Sequence, residues 1–152
     1  MQLVVFGEAQ PRKKEDLGFP VKYTGHITDE NYFCQFYSAA DVMIVPSQQD
    51  NLPNTAIEAI ACGTSVVAFN VGGLRDIVAY EKNGYLAQAF DSQDLARGIQ
   101  WVLEDVQRHA QLCAQARADA VRKFAYPVVT KQYLAVYEEV LERHRQQPSP
   151  VR

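Results

Sequence analysis

The sequence predicts an α/β domain, a Rossmann-like parallel sheet with helices on both faces and a helical C-terminal segment. Three observations carry this. Short apolar runs rich in β-branched residues recur up to Ala87, longer amphipathic stretches separate them, and from Asp91 onward the pattern is almost wholly helical. A chain of 152 residues is long enough for one buried core and short for an enzyme that must hold two substrates.

The expected strands are Leu3 to Phe6, Val21 to Thr24, Val42 to Val45, Ser65 to Phe69 and Tyr85 to Ala87, each ending near Gly, Pro, Asn or Ser. Their carboxyl ends are expected to line a ligand crevice. Asp29 to Ala40 reads as a helix with Tyr32, Phe33, Phe36 and Tyr37 on an apolar stripe, and Asn54 to Ala61 as another, stopped by Gly63. Asp91 can cap the first of three later helices, Asp91 to Glu104, Val106 to Lys123 and Pro127 to Arg145. The domain is therefore drawn as residues 1–146, with 147–152 as a frayed tail. A doubly wound sheet usually opens with its central strand, yet only one strand and a polar loop containing Gly18 precede the Val21 strand. The expectation is that the first βα unit is lacking.

Composition narrows the function. Hydrophobic residues at 47% and charged residues at 22% describe an ordinary folded domain, and a net charge of -3 supplies no basic field for a nucleic-acid backbone, so that partner is excluded. Cys34, Cys62 and Cys113 form neither a CxxC pair nor an even set, which predicts no disulfide framework and no structural zinc site, and a reducing, cytoplasmic setting. No apolar run reaches the roughly 18 residues of a membrane span, and the start of the chain lacks the pattern of a signal peptide.

The stretch from Val45 to Gly63 reads as strand, polar loop and helix. A helix that opens at the carboxyl end of a parallel strand aims free backbone N–H groups, and the positive end of its dipole, into the crevice, where a phosphate can bind without a metal. Asn51 to Thr55 is that candidate anion site, with Pro53 at or before the first turn and Asn54 or Thr55 as cap. Two carboxylates flank it. Glu58, about one turn into the helix, can accept both hydroxyls of a ribose, and Asp50, in the loop, can face charge developing at a sugar carbon. Spacing alone favours a solvent-facing Glu58 and a turn-forming Asp50. Gly72 and Gly73 can let the backbone approach the crevice closely, or can mark a plain tight turn before a helix.

At these residues the sequence resembles glycosyltransferase family 4, the retaining nucleotide-sugar transferases of GT-B fold, whose signature is PSxxEGFGLPxxEAMACGxPVVA followed by GGxPEI. The matching residues are Pro46-Ser47, Asp50, Asn51-Leu52-Pro53, Glu58-Ala59, Ala61-Cys62-Gly63, Val66-Val67-Ala68 and Gly72-Gly73-Leu74-Arg75-Asp76-Ile77. The resemblance implies that the chain is the donor-binding half of a GT-B enzyme, taking a UDP- or GDP-type sugar with no cofactor and no metal. It implies that Glu58 holds the ribose, that the backbone of Asn51, Leu52, Pro53, Asn54 and Thr55 cradles the diphosphate, and that Asp50 replaces a glutamate turned toward the transferred sugar. Gly25 and His26, at the end of a strand, fall where relatives hold the nucleobase. The Arg and Lys that relatives place against the diphosphate have no counterpart here. The acceptor, and any membrane contact, would belong to an N-terminal domain of the same protein. Two other readings remain: a non-catalytic nucleotide-sugar-binding module, separable by turnover of the isolated chain, and a nucleotide-sugar epimerase, which would show other acid and base residues.

Overall fold

The computed structural model describes residues 1–7 and 16–146; the tail expected at 147–152 lies outside them. In chain order the elements are β1 (Leu3–Phe6), β2 (Val21–Gly25), α1 (Glu30–Ala39), β3 (Met43–Val45), α2 (Asn54–Ala61), β4 (Val66–Phe69), α3 (Leu74–Ile77), β5 (Gly84–Ala87), α4 (Ser92–Leu103), α5 (Val106–Phe124) and α6 (Tyr126–Gln146). Every expected strand and helix is present, with ends shifted by a residue or so. The four-residue α3 went unlisted in the sequence reading because its apolar pattern is too short to show a period.

All strand pairings are parallel, in two groups: β1 pairs with β2, and β3-β4-β5 run side by side. Among the described residues no ladder joins the groups. Strand β4 is central to its sheet, and all four of its residues are buried, the reason its sequence is a continuous apolar run. Its alternating side chains serve two cores. Val66 and Ala68 pack in the core formed by Tyr37 of α1, Ala56, Ala59 and Ile60 of α2, Leu74 and Ile77 of α3, and Ala116 and Ala120 of α5. Val67 packs on the other side with Val102 of α4 and Leu112 of α5. Helices thus cover both faces.

Aspartates start three of the helices: Asp29 accepts from Asn31 N–H, Asp91 from Gln93 and Asp94 N–H, and Asp105 from Gln107 and Arg108 N–H. Helix α6 buries no residue. Cys34, Cys62 and Cys113 are free thiols, and among the described residues no helix is long and apolar enough to cross a membrane.

Candidate functional site

The loop after β3 brings Asp50, Asn51, Leu52 and Pro53 to the start of α2, at the carboxyl end of a parallel strand. The N-cap is Pro53, and no side chain caps the helix, which corrects the expectation of an Asn54 or Thr55 cap. Proline lacks an N–H and its fixed φ suits the entry to the first turn, so it closes the helix without covering it. The Pro53 carbonyl accepts from Ala56 and Ile57 N–H. Among the described residues no acceptor meets the N–H groups of Asn54 and Thr55, so the donors at this helix start are open.

The Gly72-Gly73 pair holds that loop in place. A Cβ on Gly72 would lie 1.8 Å from the Asp50 carbonyl oxygen, and one on Gly73 would lie 1.6 Å from that of Asn51. Gly73 N–H donates to the Asp50 carbonyl at 3.3 Å, and Gly72 has a φ of 49°. The close backbone approach is therefore to the carbonyls of Asp50 and Asn51, and only glycine fits it. Leu74 and Ile77, fully buried beneath, anchor the pair through α3, while Arg75 and Asp76 stay exposed.

Glu58 is exposed at the surface of α2, and its Oε2 accepts a 2.9 Å hydrogen bond from the hydroxyl of Tyr37 in α1. Tyr37 is 1% exposed, and its ring is stacked or edge-on against Phe6, Phe33 and Phe36. Burial, reinforced by the Glu58 carboxylate, pushes the Tyr37 hydroxyl above its usual range, so it stays protonated and keeps donating. Among the described residues no other hydrogen bond reaches this carboxylate, and the exposed residue keeps Oε1 as an open acceptor. The sequence reading placed Tyr37 on the apolar stripe and missed this role. The signal was available: a tyrosine buried among phenylalanines needs a partner for its hydroxyl.

Asp50 is half-buried, and Asn51 and Leu52 are exposed. Gly25, with a φ of 67°, ends β2, and His26 follows it on the surface. Both lie at a strand's carboxyl end, but in the other sheet, and no described hydrogen bond brings them to the α2 start. Two cavities, about 510 Å³ beside Lys82, Asp119 and Arg122 and about 290 Å³ beside Tyr80, Tyr85 and Trp101, lie elsewhere. The α2 start is an open shelf, the form that one wall of a crevice takes. Among the described residues no three His, Cys, Asp or Glu side chains are gathered for a metal.

Known proteins are similar to this chain in sequence and in fold. The chain is 39% identical over 114 residues to a D-inositol 3-phosphate glycosyltransferase of Thermobispora bispora, covering 74% of this chain and 26% of that protein. The corresponding enzyme of Xylanimonas cellulosilytica is 42% identical over 108 residues, covering 71% and 26%. In structure it is similar to a sucrose-phosphate synthase of Thermosynechococcus elongatus, with a TM-score of 0.80 and 31% identity over 93% of this chain and 39% of that one. It is also similar to Anabaena HepE, solved with UDP and with UDP-glucose, with a TM-score of 0.71 and 29% identity over 78% of this chain and 32% of that one. The chain spans about a quarter of the length of these curated relatives. Residues 1–119 match the family of glycosyl transferases group 1, and with the parallel strands, the open α2 start and the glycine-held loop, the chain belongs to that family.

Proposed function

We propose that this chain is the donor half of a retaining glycosyltransferase that binds a nucleoside-diphosphate sugar, of UDP or GDP type, for transfer to a hydroxyl acceptor. The observation that carries the reading is the uncapped start of α2 with Glu58 beside it, one carboxylate oxygen held by Tyr37 and the other open. The N–H groups at Asn54 and Thr55, with the helix dipole, take the diphosphate, and the Glu58 carboxylate accepts the ribose hydroxyls. UDP and UDP-glucose in Anabaena HepE support this ligand class.

In the reaction, the bond between the anomeric carbon and the β-phosphate oxygen breaks, and that oxygen leaves with the electron pair. A bond to the acceptor oxygen forms on the same face of the sugar, and the acceptor hydroxyl's proton passes to the departing diphosphate oxygen. Charge grows on the leaving diphosphate, which the α2 donors stabilise without a metal. Asp50 faces the sugar and Gly25 and His26 the base. An N-terminal domain holds the acceptor, and the enzyme works in the cytoplasm. The alternative, a non-catalytic nucleotide-sugar-binding module, is distinguished by turnover of the chain.

Calorimetric titration with UDP, GDP and their glucose esters, with and without chelator, tests the reading. Binding of one nucleotide in chelator, weakened about tenfold or more in Glu58→Ala, is expected. Binding that vanishes in chelator, or that is equal in Glu58→Ala, overturns it.

A further inference from the structure

Strand β5 and helix α4 build a second cleft, of about 290 Å³, at the end of the sheet remote from the α2 start. Tyr80 and Glu81 stand just before β5, and Trp101 and Glu104 at the close of α4, so the cleft lies at the amino end of the strands. The α2 start lies at the carboxyl end of β3, two strands away. The floor of the cleft is a row of three rings, with Tyr85 in the middle, 5.1 Å from Tyr80 and 5.8 Å from Trp101. The rings are clamped. Tyr85 lies on Gly98, where a Cβ would come within 2.3 Å of it, and its hydroxyl donates to Asp94 at 2.9 Å. Arg108 stacks 4.4 Å from the centre of the Trp101 ring, donates to the Trp101 carbonyl at 2.9 Å and pairs with Glu104 at 3.0 Å. Tyr80 nevertheless stays 49% exposed, and Glu81 after it is held at a φ of 57°, a costly conformation for a residue with a side chain. A core alone has no need of a half-exposed ring beside a strained turn, whereas a binding platform needs its rings fixed before the ligand arrives.

The rim selects a ligand class. Arg97, paired with Asp94 at 3.2 Å, and Arg108, already on the Trp101 ring, repel a cation from the platform. The carboxylates of Glu81 and Glu104 repel an anion. A wholly apolar guest would take water from these ionic groups without replacing their hydrogen bonds. A neutral ring with one apolar face and hydroxyls around its edge meets each condition. We propose that this cleft is a second, non-catalytic carbohydrate site, which stacks one neutral pyranose unit and works independently of the donor shelf. The apolar face of the sugar lies on Tyr80 and Trp101, the Glu81 and Glu104 carboxylates accept from its hydroxyls, and Gln100 and Arg97 donate to them. The volume is at the small end of ligand sites, which begin at about 300 Å³, and so suits a single sugar.

Trp101 is the only tryptophan of the chain, so its emission reads this cleft directly. The test titrates the methyl pyranosides of glucose, galactose and mannose into the chain, with and without UDP, and follows that emission. A saturable change with at least one glycoside is expected, the same in both conditions, while choline, sorbitol and inorganic phosphate leave the emission unchanged. Tyr80→Ala removes an exposed ring and is expected to weaken the response at least tenfold with far-ultraviolet circular dichroism unchanged. The double variant Glu81→Gln with Gln100→Ala, at two exposed rim positions, is expected to weaken it as well and leaves every ring in place. No saturable response to any glycoside, or full affinity in both variants, overturns the site. So does an equal response to sorbitol, which has the hydroxyls and no ring face. A response to choline or to phosphate in place of the sugars makes the cleft a cation or an anion site and overturns the sugar reading, and a response that UDP abolishes moves the sugar to the donor shelf and does the same. Nucleotide binding is scored apart, by calorimetry, so the donor reading and this one can fail separately.

Discussion

Strands β1 and β4 have four apolar residues each, LVVF and VVAF, yet β4 is buried throughout and β1 is half-buried throughout. Their helices repeat the contrast. Ala56, Ala59 and Ile60 of α2 are fully buried, whereas Tyr133, Val136, Tyr137, Val140 and Leu141 of α6 are each more than half exposed. The last helix thus carries an exposed apolar stripe. Composition sets what a segment can bury, and neighbours set what it does bury. Strand β4 has a strand on each side and helices on both faces, whereas β1 is paired on one side and α6 keeps its apolar stripe exposed.

The most severe way to break the β3-β4-β5 sheet is to add one methyl group. In Gly84→Ala the new Cβ would stand 2.1 Å from the Val66 carbonyl, between β4 and β5, where the backbones cannot part without losing the ladder. A loss of roughly 3 kcal/mol or more in denaturant unfolding is expected, at the upper end of overpacking costs. Gly7→Ala, at φ 84° with nothing within 4 Å of its Cβ, is expected to cost only the strain of a left-handed residue, about 1–2 kcal/mol. Equal losses would mean that the two sheets are equally tight.

Next in size is the ligand shelf. Gly73→Ala drives a Cβ into the Asn51 carbonyl and is expected to abolish nucleotide binding by displacing the Asp50–Pro53 loop, with a smaller fall in Tm than Gly84→Ala. Tyr37→Phe keeps the ring packing and removes the hydroxyl that orients Glu58, so nucleotide affinity should fall about tenfold while far-ultraviolet circular dichroism is unchanged. Affinity equal to wild type would make the Tyr37–Glu58 bond a packing detail.

A pH profile separates the halves more gently. The Gln88 N–H, then the Tyr85 hydroxyl and Arg97, hold Asp94 below the usual carboxylate range, against the opposing effect of burial. Because the folded value is depressed, this stabilisation is complete above the unfolded value near 4 and is lost as pH falls through the folded one. Asp94→Asn should therefore flatten the stability curve below about pH 4. A curve unchanged in slope would remove Asp94 from the account. The smallest effect on folding is expected from deleting α6, since it buries nothing: its removal should lower Tm less than Gly84→Ala does. Asp50→Asn should leave nucleotide affinity near wild type and lower turnover in the longer enzyme, and unchanged turnover would make it a turn residue only.

The sequence by itself determined the elements, because apolar period, capping aspartates and glycine stops are local signals: α2 begins and ends where Asn54 and Ala61 say it should. It also determined the family, since an ordered motif from Pro46 to Ile77 is local text, and it pointed to Glu58. Tertiary structure alone decided what those residues touch. That the Tyr37 hydroxyl holds Glu58, that Gly72 and Gly73 seat the Asp50 and Asn51 carbonyls, and that Asn83 and Asp119 bond at 3.0 Å inside the protein are contacts between segments far apart in the chain. So is the break between β1 and β3. Strand pairing and side-chain partners depend on distances between remote backbones, which no single stretch of sequence encodes, whereas a helix start is written within the few residues that form it.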